Sequence, residues 1–265
     1  VTAADTIDQW FMLSDDSVGI TSLSLNRPAQ FIALSGEMLV ELQHALDAID
    51  RVESVRVVVI AANGKSFCPG HDLKEMRSSE EREFHQALFA KCSKMMLTIN
   101  QLRQPVIARV NGIATAAGCQ LVANCDLAVA AEDARFAVSG INVGLFCSTP
   151  AVPLSRNMGR KQALHMLLTG DFVSAQTAQS YGLVNEVVPG AELEQATVVL
   201  ARKIIAKSAH AIALGKDMFY RQLGMDLSEA YAYAAERMAC NMDSHDAREG
   251  IDAFIEKRKP EWQGN

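Results

Sequence analysis

Two glycine-containing turns carry residue types that can stabilise a developing negative charge. Residues 64–73 read Gly-Lys-Ser-Phe-Cys-Pro-Gly-His-Asp-Leu, and residues 111–120 read Asn-Gly-Ile-Ala-Thr-Ala-Ala-Gly-Cys-Gln. Small residues let backbone N–H groups approach a ligand closely, and two such donors aimed at one point form an oxyanion hole for an enolate. Taken alone, the spacing is more typical of two ordinary β-to-α connections, in which Asp72 caps the next helix.

The elements around these turns alternate between strands and helices, which is typical of an α/β fold. The first turn follows an apolar, β-branched run and so does the second, which places both at the carboxyl ends of buried strands. Apolar residues at three- and four-residue spacing predict helices between the strands. The predicted strands are Val18–Leu25, Val55–Ala62, Val106–Val110, Asp126–Ala131, Arg135–Val138 and Leu183–Val188. The predicted helices in this part are Ser35–Asp50, Glu80–Leu102 and Lys161–Leu168.

No strand pattern follows Pro189-Gly190, and the rest of the chain predicts helices. We therefore expect two regions, a core over residues 1–200 and a helical region over residues 201–265, which packs on its own core or on a partner subunit. The predicted C-terminal helices are Glu192–Ser208, Ala211–Gln222, Leu227–Asn241 and Ala247–Lys257.

Composition narrows the classes of function. The 265 residues are 49% hydrophobic and 21% charged, as in an ordinary globular protein, and the net charge of −6 argues against binding to a nucleic-acid backbone. No apolar stretch is long enough to span a membrane, and residues 1–10 lack the features of a secretory signal. The six cysteines form no Cys-x-x-Cys pair, and no zinc-like spacing of His and Cys occurs, so we expect free thiols, a reducing compartment and no metal.

Short motifs along nearly the whole chain follow the order in which one known family carries them. They lie at residues 25–28 (Leu-Asn-Arg-Pro), 67–73, 110–112, 118–119, 125–127 (Cys-Asp-Leu), 142–145 (Asn-Val-Gly-Leu), 168–170 (Leu-Thr-Gly), 175, 182–184 and 249–258. On these motifs the chain resembles the enoyl-CoA hydratase/isomerase (crotonase) superfamily. The resemblance implies a spiral of ββα units, a helical C-terminal trimerisation region, and homotrimers that often pair as hexamers.

The same resemblance implies an acyl-CoA thioester as ligand, with coenzyme A present as part of the substrate and no separate cofactor. The thioester oxygen would accept hydrogen bonds from the backbone N–H groups of His71 and Ala117. The adenine and phosphate contacts would fall on Pro69, Leu73 and, from a neighbouring subunit, Lys257.

Both proton-transfer positions of the family's hydratases depart from the pattern. The resemblance places the two glutamates of a hydratase at Gln120 and Gly140. A glutamine amide does not titrate usefully, and glycine has no side chain, so neither can act as the general acid or base. Each such group typically contributes about 10²- to 10⁴-fold, so we expect standard hydration to be very slow.

His71 and Cys147 are the remaining titratable candidates. The His71 imidazole can donate to a substrate carboxylate or move a proton near neutral pH, or it can simply pack in its turn. Cys147, which we expect in a loop with Ser148 and Thr149, can act as an acid or nucleophile if its pKa is lowered, and is otherwise a buried inert thiol.

Three functions follow from the resemblance. The leading hypothesis is an acyl-CoA-binding member of the family with atypical chemistry, with His71, Ala117, Gln120, Gly140 and Cys147 around the reacting group. The first alternative is an acyl-CoA decarboxylase, since the residues around His71 and Asn142 are similar to the methylmalonyl-CoA decarboxylase branch of the superfamily. The second is a non-catalytic acyl-CoA sensor or partner-binding subunit. A cytoplasmic location is the default, and the mitochondrial matrix applies if a transit peptide has been removed.

Overall fold

The computed structural model describes residues 6–7, 11–16, 18–26 and 32–265. Residues 1–5 and 8–10, together with Arg27 and Pro28 of the first family motif, lie outside the described residues. Among the described residues, no helix combines the length and apolarity needed to cross a bilayer.

The described strands form a large sheet and a small one. Their bounds are β1 (Thr6–Ile7), β2 (Phe11–Asp15), β3 (Ile20–Leu25), β4 (Val57–Ala62), β5 (Ser66–Cys68), β6 (Val106–Val110), β7 (Ile113–Thr115), β8 (Leu127–Ala131), β9 (Arg135–Ala137), β10 (Val173–Ser174) and β11 (Glu186–Val188). The large sheet has the order β1-β2-β3-β4-β6-β8-β11 and is parallel from β3 onwards. The small sheet has the order β10-β9-β7-β5. Because β5 follows β4 and β7 follows β6, the small sheet extends the carboxyl ends of two neighbouring strands.

Helices cover both faces of the large sheet. Their bounds are α1 (Gly36–Asp50), α2 (Leu73–Arg77), α3 (Arg82–Gln101), α4 (Ala117–Asn124), α5 (Ser148–Asn157), α6 (Arg160–Thr169), α7 (Ala175–Tyr181), α8 (Leu193–Ile205), α9 (Ala209–Gln222), α10 (Leu227–Met242) and α11 (His245–Glu256). The main core lies between the sheets and helices α1 and α3. A second apolar cluster packs α8 on the opposite face, and β4 is therefore buried along its whole length. A strand buried on both faces explains the continuous apolar run that predicted it.

A buried ion pair docks the C-terminal helix α9 onto the core. The Lys216 ammonium lies 2.6 Å from the Asp126 carboxylate and also donates to the carbonyl oxygens of Ile99 and Gln104. The Tyr220 hydroxyl donates to the second Asp126 oxygen at 2.7 Å. Every donor of the ammonium thus has an acceptor, which offsets the cost of removing these charges from water.

The structure confirms the α/β class and every predicted strand, with ends shifted by a few residues. No strand follows Val188 in the described chain, as predicted. The expected boundary at residue 200 falls inside α8, and the division into two regions stays a prediction. One local prediction was wrong: Ser148 and Thr149 begin α5 instead of lying in a loop. Pro150 and Pro153 masked this helix. Pro150 lies in the first turn, where proline is tolerated because the N–H has no helical acceptor, whereas Pro153 lies inside the helix.

Candidate active site

The two glycine turns meet side by side. Strand β5 pairs in parallel with β7, with Ser66 opposite Ile113. A Cβ atom at Gly118 would overlap the Cys68 carbonyl oxygen, so only glycine lets α4 approach the first turn this closely. A Cβ atom at Gly70, whose φ is +99°, would lie 3.0 Å from the backbone nitrogen of Ala117. The two turns therefore lie in contact, as an oxyanion hole requires, although their spacing alone was more typical of two ordinary connections.

Two backbone N–H groups at this junction are free to bind a ligand. Within the described residues, neither the His71 N–H nor the Ala117 N–H donates a hydrogen bond. Ala117 is the first residue of α4, where the N–H groups have no helical acceptor and the helix dipole favours negative charge. The preceding Ala116 has φ +50°, an unfavourable conformation for a residue with a Cβ atom, which turns the chain into the helix.

A cavity of about 410 Å³ lies in front of these two groups. Most of the predicted site residues line it: Pro69, His71, Leu73, Ala117, Gly140 and Cys147. None of the described residues that line it is Asp, Glu, Lys or Arg, so its walls carry no formal charge unless His71 or Cys147 titrates. Lys257 does not line the cavity. It ends α11 in the left-handed region, and its predicted role in a neighbouring subunit's site stays a prediction.

The His71 side chain is held by the Leu34 carbonyl, which precedes α1, and by α3. Its Nδ1 atom lies 3.2 Å from the Leu34 carbonyl oxygen, and its ring packs edge-on against Phe89 with centroids 5.5 Å apart. The Nε2 atom is buried and has no hydrogen-bond partner among the described residues. Burial lowers the pKa of His71, partly opposed by the Leu34 carbonyl and by Glu75. If Nδ1 carries the proton and donates to Leu34, a neutral imidazole presents Nε2 as an acceptor; when protonated, both nitrogens donate.

The two positions of the hydratase glutamates offer no titratable group. Gln120 is buried on α4, one turn after Ala117, and its Oε1 atom has no partner among the described residues. It does not line the cavity directly. Gly140 does, but a Cβ atom there would lie 2.6 Å from the Leu145 carbonyl oxygen and 2.7 Å from Cys147 Sγ. The Cys147 thiol therefore occupies the space that the Cβ atom of a larger residue at position 140 would need.

Cys147 shows none of the features of an activated nucleophile. Cys147 is buried directly before α5, and burial raises the pKa of its thiol. The backbone of Gly140 opposes this shift only in part. A thiol with a raised pKa keeps its proton at physiological pH, and the inert-thiol interpretation of Cys147 stays a prediction.

Sequence reasoning missed most of the apolar wall. Met76, Phe89, Val143, Leu145 and Phe146 all line the cavity. Met76 and Phe89 lie on helices where a helical pattern does not distinguish a cavity wall from a core face. Val143 ends the 3₁₀ helix Ser139–Val143, Leu145 and Phe146 follow it, and all three side chains are 46% to 60% exposed. The signal in the sequence was three large apolar residues within residues 143–146, outside every predicted helix and strand. A second missed feature is the Thr115–Ser139 hydroxyl pair, 2.7 Å apart beside the donors.

Comparison with known proteins establishes the family and the fold. The family model described as enoyl-CoA hydratase/isomerase matches residues 15–265. This chain belongs to the enoyl-CoA hydratase/isomerase family. Among solved structures, the family member titled enoyl-CoA hydratase from Mycobacterium smegmatis is 57% identical with a TM-score of 0.94, covering 96% of this chain and 99% of that one. The structure of human enoyl Coenzyme A hydratase domain-containing protein 3 is 46% identical with a TM-score of 0.92, covering 96% of this chain and all of that one.

The curated relatives agree with the solved structures. Rat (Rattus norvegicus) enoyl-CoA hydratase domain-containing protein 3, mitochondrial, is 47% identical over 244 residues, which are 92% of this chain and 81% of the relative. As a member of the enoyl-CoA hydratase/isomerase family, the chain has the crotonase fold expected from its motifs, and its likeness to the domain-containing protein 3 relatives covers most of its length.

Proposed function

We propose that the cavity binds the acyl end of a CoA thioester and that the His71 and Ala117 N–H groups hold the thioester oxygen. The observation that carries this proposal is the pair of unpaired backbone donors at the junction of the two turns, in front of an uncharged cavity. Family membership supports the ligand class. By the resemblance, Pro69 and Leu73 contact the adenine and phosphate groups, and coenzyme A is part of the substrate, so no further cofactor takes part.

Two ligands that differ in one oxygen test the donor pair without changing the protein. Calorimetry compares acetyl-CoA with the S-ethyl thioether of CoA, which lacks the carbonyl oxygen. Two hydrogen bonds of about 1 kcal/mol each predict that acetyl-CoA binds roughly thirtyfold more tightly. Equal affinity would show that the N–H pair does not hold the oxygen, and no binding of either ligand would overturn the proposal as a whole.

We further propose that the protein is a poor hydratase. Gln120 and Gly140 supply no group that can take or give the proton of an attacking water, and such groups each contribute about 10²- to 10⁴-fold. The expected result is saturable binding of crotonyl-CoA with a hydration rate several orders of magnitude below that of a family member with both glutamates. Fast hydration would show that another residue or a bound water carries the base role.

A second candidate function is decarboxylation of a carboxyacyl-CoA, favoured by the uncharged cavity and the unpaired Nε2 atom of His71. In this reaction the bond between Cα and the carboxylate breaks, CO₂ leaves, and its electron pair forms an enolate whose oxygen the two N–H groups stabilise. A proton then adds to Cα. Release of CO₂ from malonyl-CoA or methylmalonyl-CoA, reduced in His71→Gln, would support it. Binding of these thioesters without turnover would favour the non-catalytic, acyl-CoA-sensing role instead.

We also propose that the chain self-associates as a homotrimer or hexamer through its C-terminal helices. Large apolar side chains are exposed there: Phe219, Leu223, Leu227, Tyr231 and Phe254. In such an assembly Lys257 of a neighbouring subunit would supply a positive charge to a CoA phosphate. Light scattering of the purified chain tests the state directly, and a monomer would exclude both roles. A reducing location suits the six free thiols, either the cytoplasm or the mitochondrial matrix, and the rat relative is named as mitochondrial.

A further inference from the structure

The turn that carries His71 is joined to the start of α1 by contacts that run in both directions. The Leu34 N–H donates to the Gly70 carbonyl oxygen at 2.8 Å, and the Leu34 carbonyl oxygen lies 3.2 Å from His71 Nδ1. Two residues further along, the Gly36 N–H donates to both carboxylate oxygens of Glu75, at 2.9 and 3.1 Å. The start of α1 therefore holds both the His71 turn and the short helix α2.

The Glu75 carboxylate lies at a place that suits a negative charge. Gly36 is the first residue of α1, where the N–H has no helical acceptor and the helix dipole favours an anion. A Cβ atom at Gly36 would lie 2.9 Å from Glu75 Oε1, so glycine is what lets the carboxylate come this close. Within the described chain, Glu75 forms no salt bridge with a basic side chain. Its charge is therefore not cancelled by a cation and can act on its neighbours.

The neighbour on which this charge acts is His71. Burial lowers the pKa of His71, and the Leu34 carbonyl and the Glu75 charge oppose that effect. A nearby negative charge favours the protonated imidazole, and it acts more strongly in a buried site than in water. Because Nδ1 is taken by the Leu34 carbonyl, the additional proton binds at Nε2, which is buried and has no partner among the described residues.

Other titratable groups lie on the elements around His71, but several are engaged elsewhere. The Asp72 carboxylate accepts from backbone N–H groups of α2, and the Arg77 guanidinium lies 3.2 Å from the Glu80 carboxylate. The remaining groups on these elements are Glu37 on α1, Lys74 on α2, His85 and Cys92 on α3, Cys68 on β5 and Cys147 before α5.

We propose that Glu75 is a positioning residue for His71: its carboxylate fixes α2 and the His71 turn against α1, and its charge favours a proton on Nε2. The cavity, whose described walls hold no Asp, Glu, Lys or Arg, thereby gains a group that can take up and release a proton. This inference rests on the proposed function for its catalytic meaning, because a protonated Nε2 can donate to an oxygen of a bound thioester. Its test needs no ligand.

The charge is tested by the NMR titration of the His71 imidazole in the ligand-free protein, with the signal assigned by its loss in His71→Gln. Glu75→Gln keeps a side-chain oxygen that can accept from Gly36 but removes the charge, so the titration midpoint should move to lower pH. Glu75→Ala should move it in the same direction. Glu37→Gln is the matched control, because it removes an equal charge from an exposed position in the first turn of α1 and should leave the midpoint unchanged.

The docking is tested by hydrogen exchange at the Gly36 amide. A hydrogen bond to a charged group is strong enough that its loss in Glu75→Ala should reduce the protection of this amide by about tenfold or more. Glu75→Gln should retain part of the protection, since its side-chain oxygen still accepts. A purely structural role of Glu75 would move the protection and leave the His71 midpoint of Glu75→Gln where it is in the unmodified protein.

Each outcome has one meaning. An unchanged midpoint in Glu75→Gln overturns the inference, and so does an equal fall in Glu37→Gln. An imidazole that stays neutral at every pH at which the unmodified protein is folded overturns it as well. Equal protection of the Gly36 amide in all the variants overturns the docking. Failure of every thioester to bind would overturn the proposed function, while the effect of Glu75 on His71, measured without ligand, would stand.

Discussion

Replacing Gly140 by alanine should destabilise the protein, although the change adds a single methyl group. That methyl would lie 2.6 Å from the Leu145 carbonyl oxygen and 2.7 Å from Cys147 Sγ, both inside normal contact distance. The Leu145 N–H also donates to the Gly140 carbonyl at 2.9 Å, so the backbone cannot move apart without stretching this bond. Overpacking of a tight site costs typically 1 to 3 kcal/mol, and with a backbone atom as one of the two neighbours we expect about 2 to 3 kcal/mol.

Urea unfolding measures this loss. With a denaturant dependence of about 3 kcal/mol per molar urea, the expected shift of the midpoint is roughly 0.7 to 1 M. Gly190→Ala is the matched control, because a Cβ atom there has nothing within 4 Å and the midpoint should hardly change. Cys147→Ala removes one of the two neighbours, so a double-mutant cycle with Gly140→Ala should show a favourable coupling of about 1 kcal/mol.

A midpoint for Gly140→Ala that equals that of the unmodified protein would refute the reasoning, and so would a cycle without coupling. The result bears directly on the chemistry. If alanine is costly at residue 140, a glutamate is costlier, and the double change Gln120→Glu, Gly140→Glu cannot simply restore a hydratase. Not only the glycine at residue 140 but also the packing around Cys147 would then exclude the glutamate that the family's hydratases carry there.

Three further predictions concern stability and use the same urea assay. Ala116→Gly should raise stability by about 1 kcal/mol, because glycine relieves the positive φ. Ala117→Gly, at the first residue of α4 and without a positive φ to relieve, should instead lose a little stability, less than the roughly 0.5 to 1 kcal/mol typical of a helix interior; a loss in both variants would contradict the strain at Ala116. Lys216→Met should cost about 3 kcal/mol, since it leaves the Asp126 carboxylate without its cation; a cost below 1 kcal/mol would mean that this pair contributes little. Burial lowers the pKa of His71 below its unfolded value of 6.5, so the stability that the neutral imidazole contributes is present above pH 6.5 and is lost as the pH falls through the folded pKa. His71→Gln should therefore flatten the decline of the free energy of unfolding below pH 6.5. Parallel plots of this free energy against pH for the two proteins would exclude His71 as the cause.

The parallel part of the large sheet, from β3 to β11, was predictable from apolar, β-branched runs in the sequence, whereas its first two strands, β1 and β2, were not predicted. Strands β4 and β6 are buried on both faces, and a continuous apolar run such as Val57–Ala62 is stable only where both of its faces are shielded from water. The three-residue strands β5 and β7 were not predicted. They are held by pairing with each other and by the close approach at Gly118, which are long-range contacts that no local pattern encodes.

The candidate site divides in the same way. His71, Ala117 and Gly140, which the family motifs single out, line one cavity, and their roles stay predictions. Phe89 was not predicted, because the sequence pattern of an aromatic residue on a long helix is the same whether its side chain faces a core or a ligand. The contact between Cys147 and Gly140 was also hidden, because it depends on how one turn folds back over seven residues.

The two proposed oxygen-binding donors belong to the main chain, and this separates the holding of a thioester from the choice of what happens to it. Amino-acid replacement alters side chains while each non-proline residue keeps its N–H. Residues 120 and 140 can thus be substituted without removing the two N–H groups, and packing limits which side chains fit there. Proteins that share this pair of backbone donors can change their reaction during evolution, or lose turnover altogether, and still bind the same class of thioester.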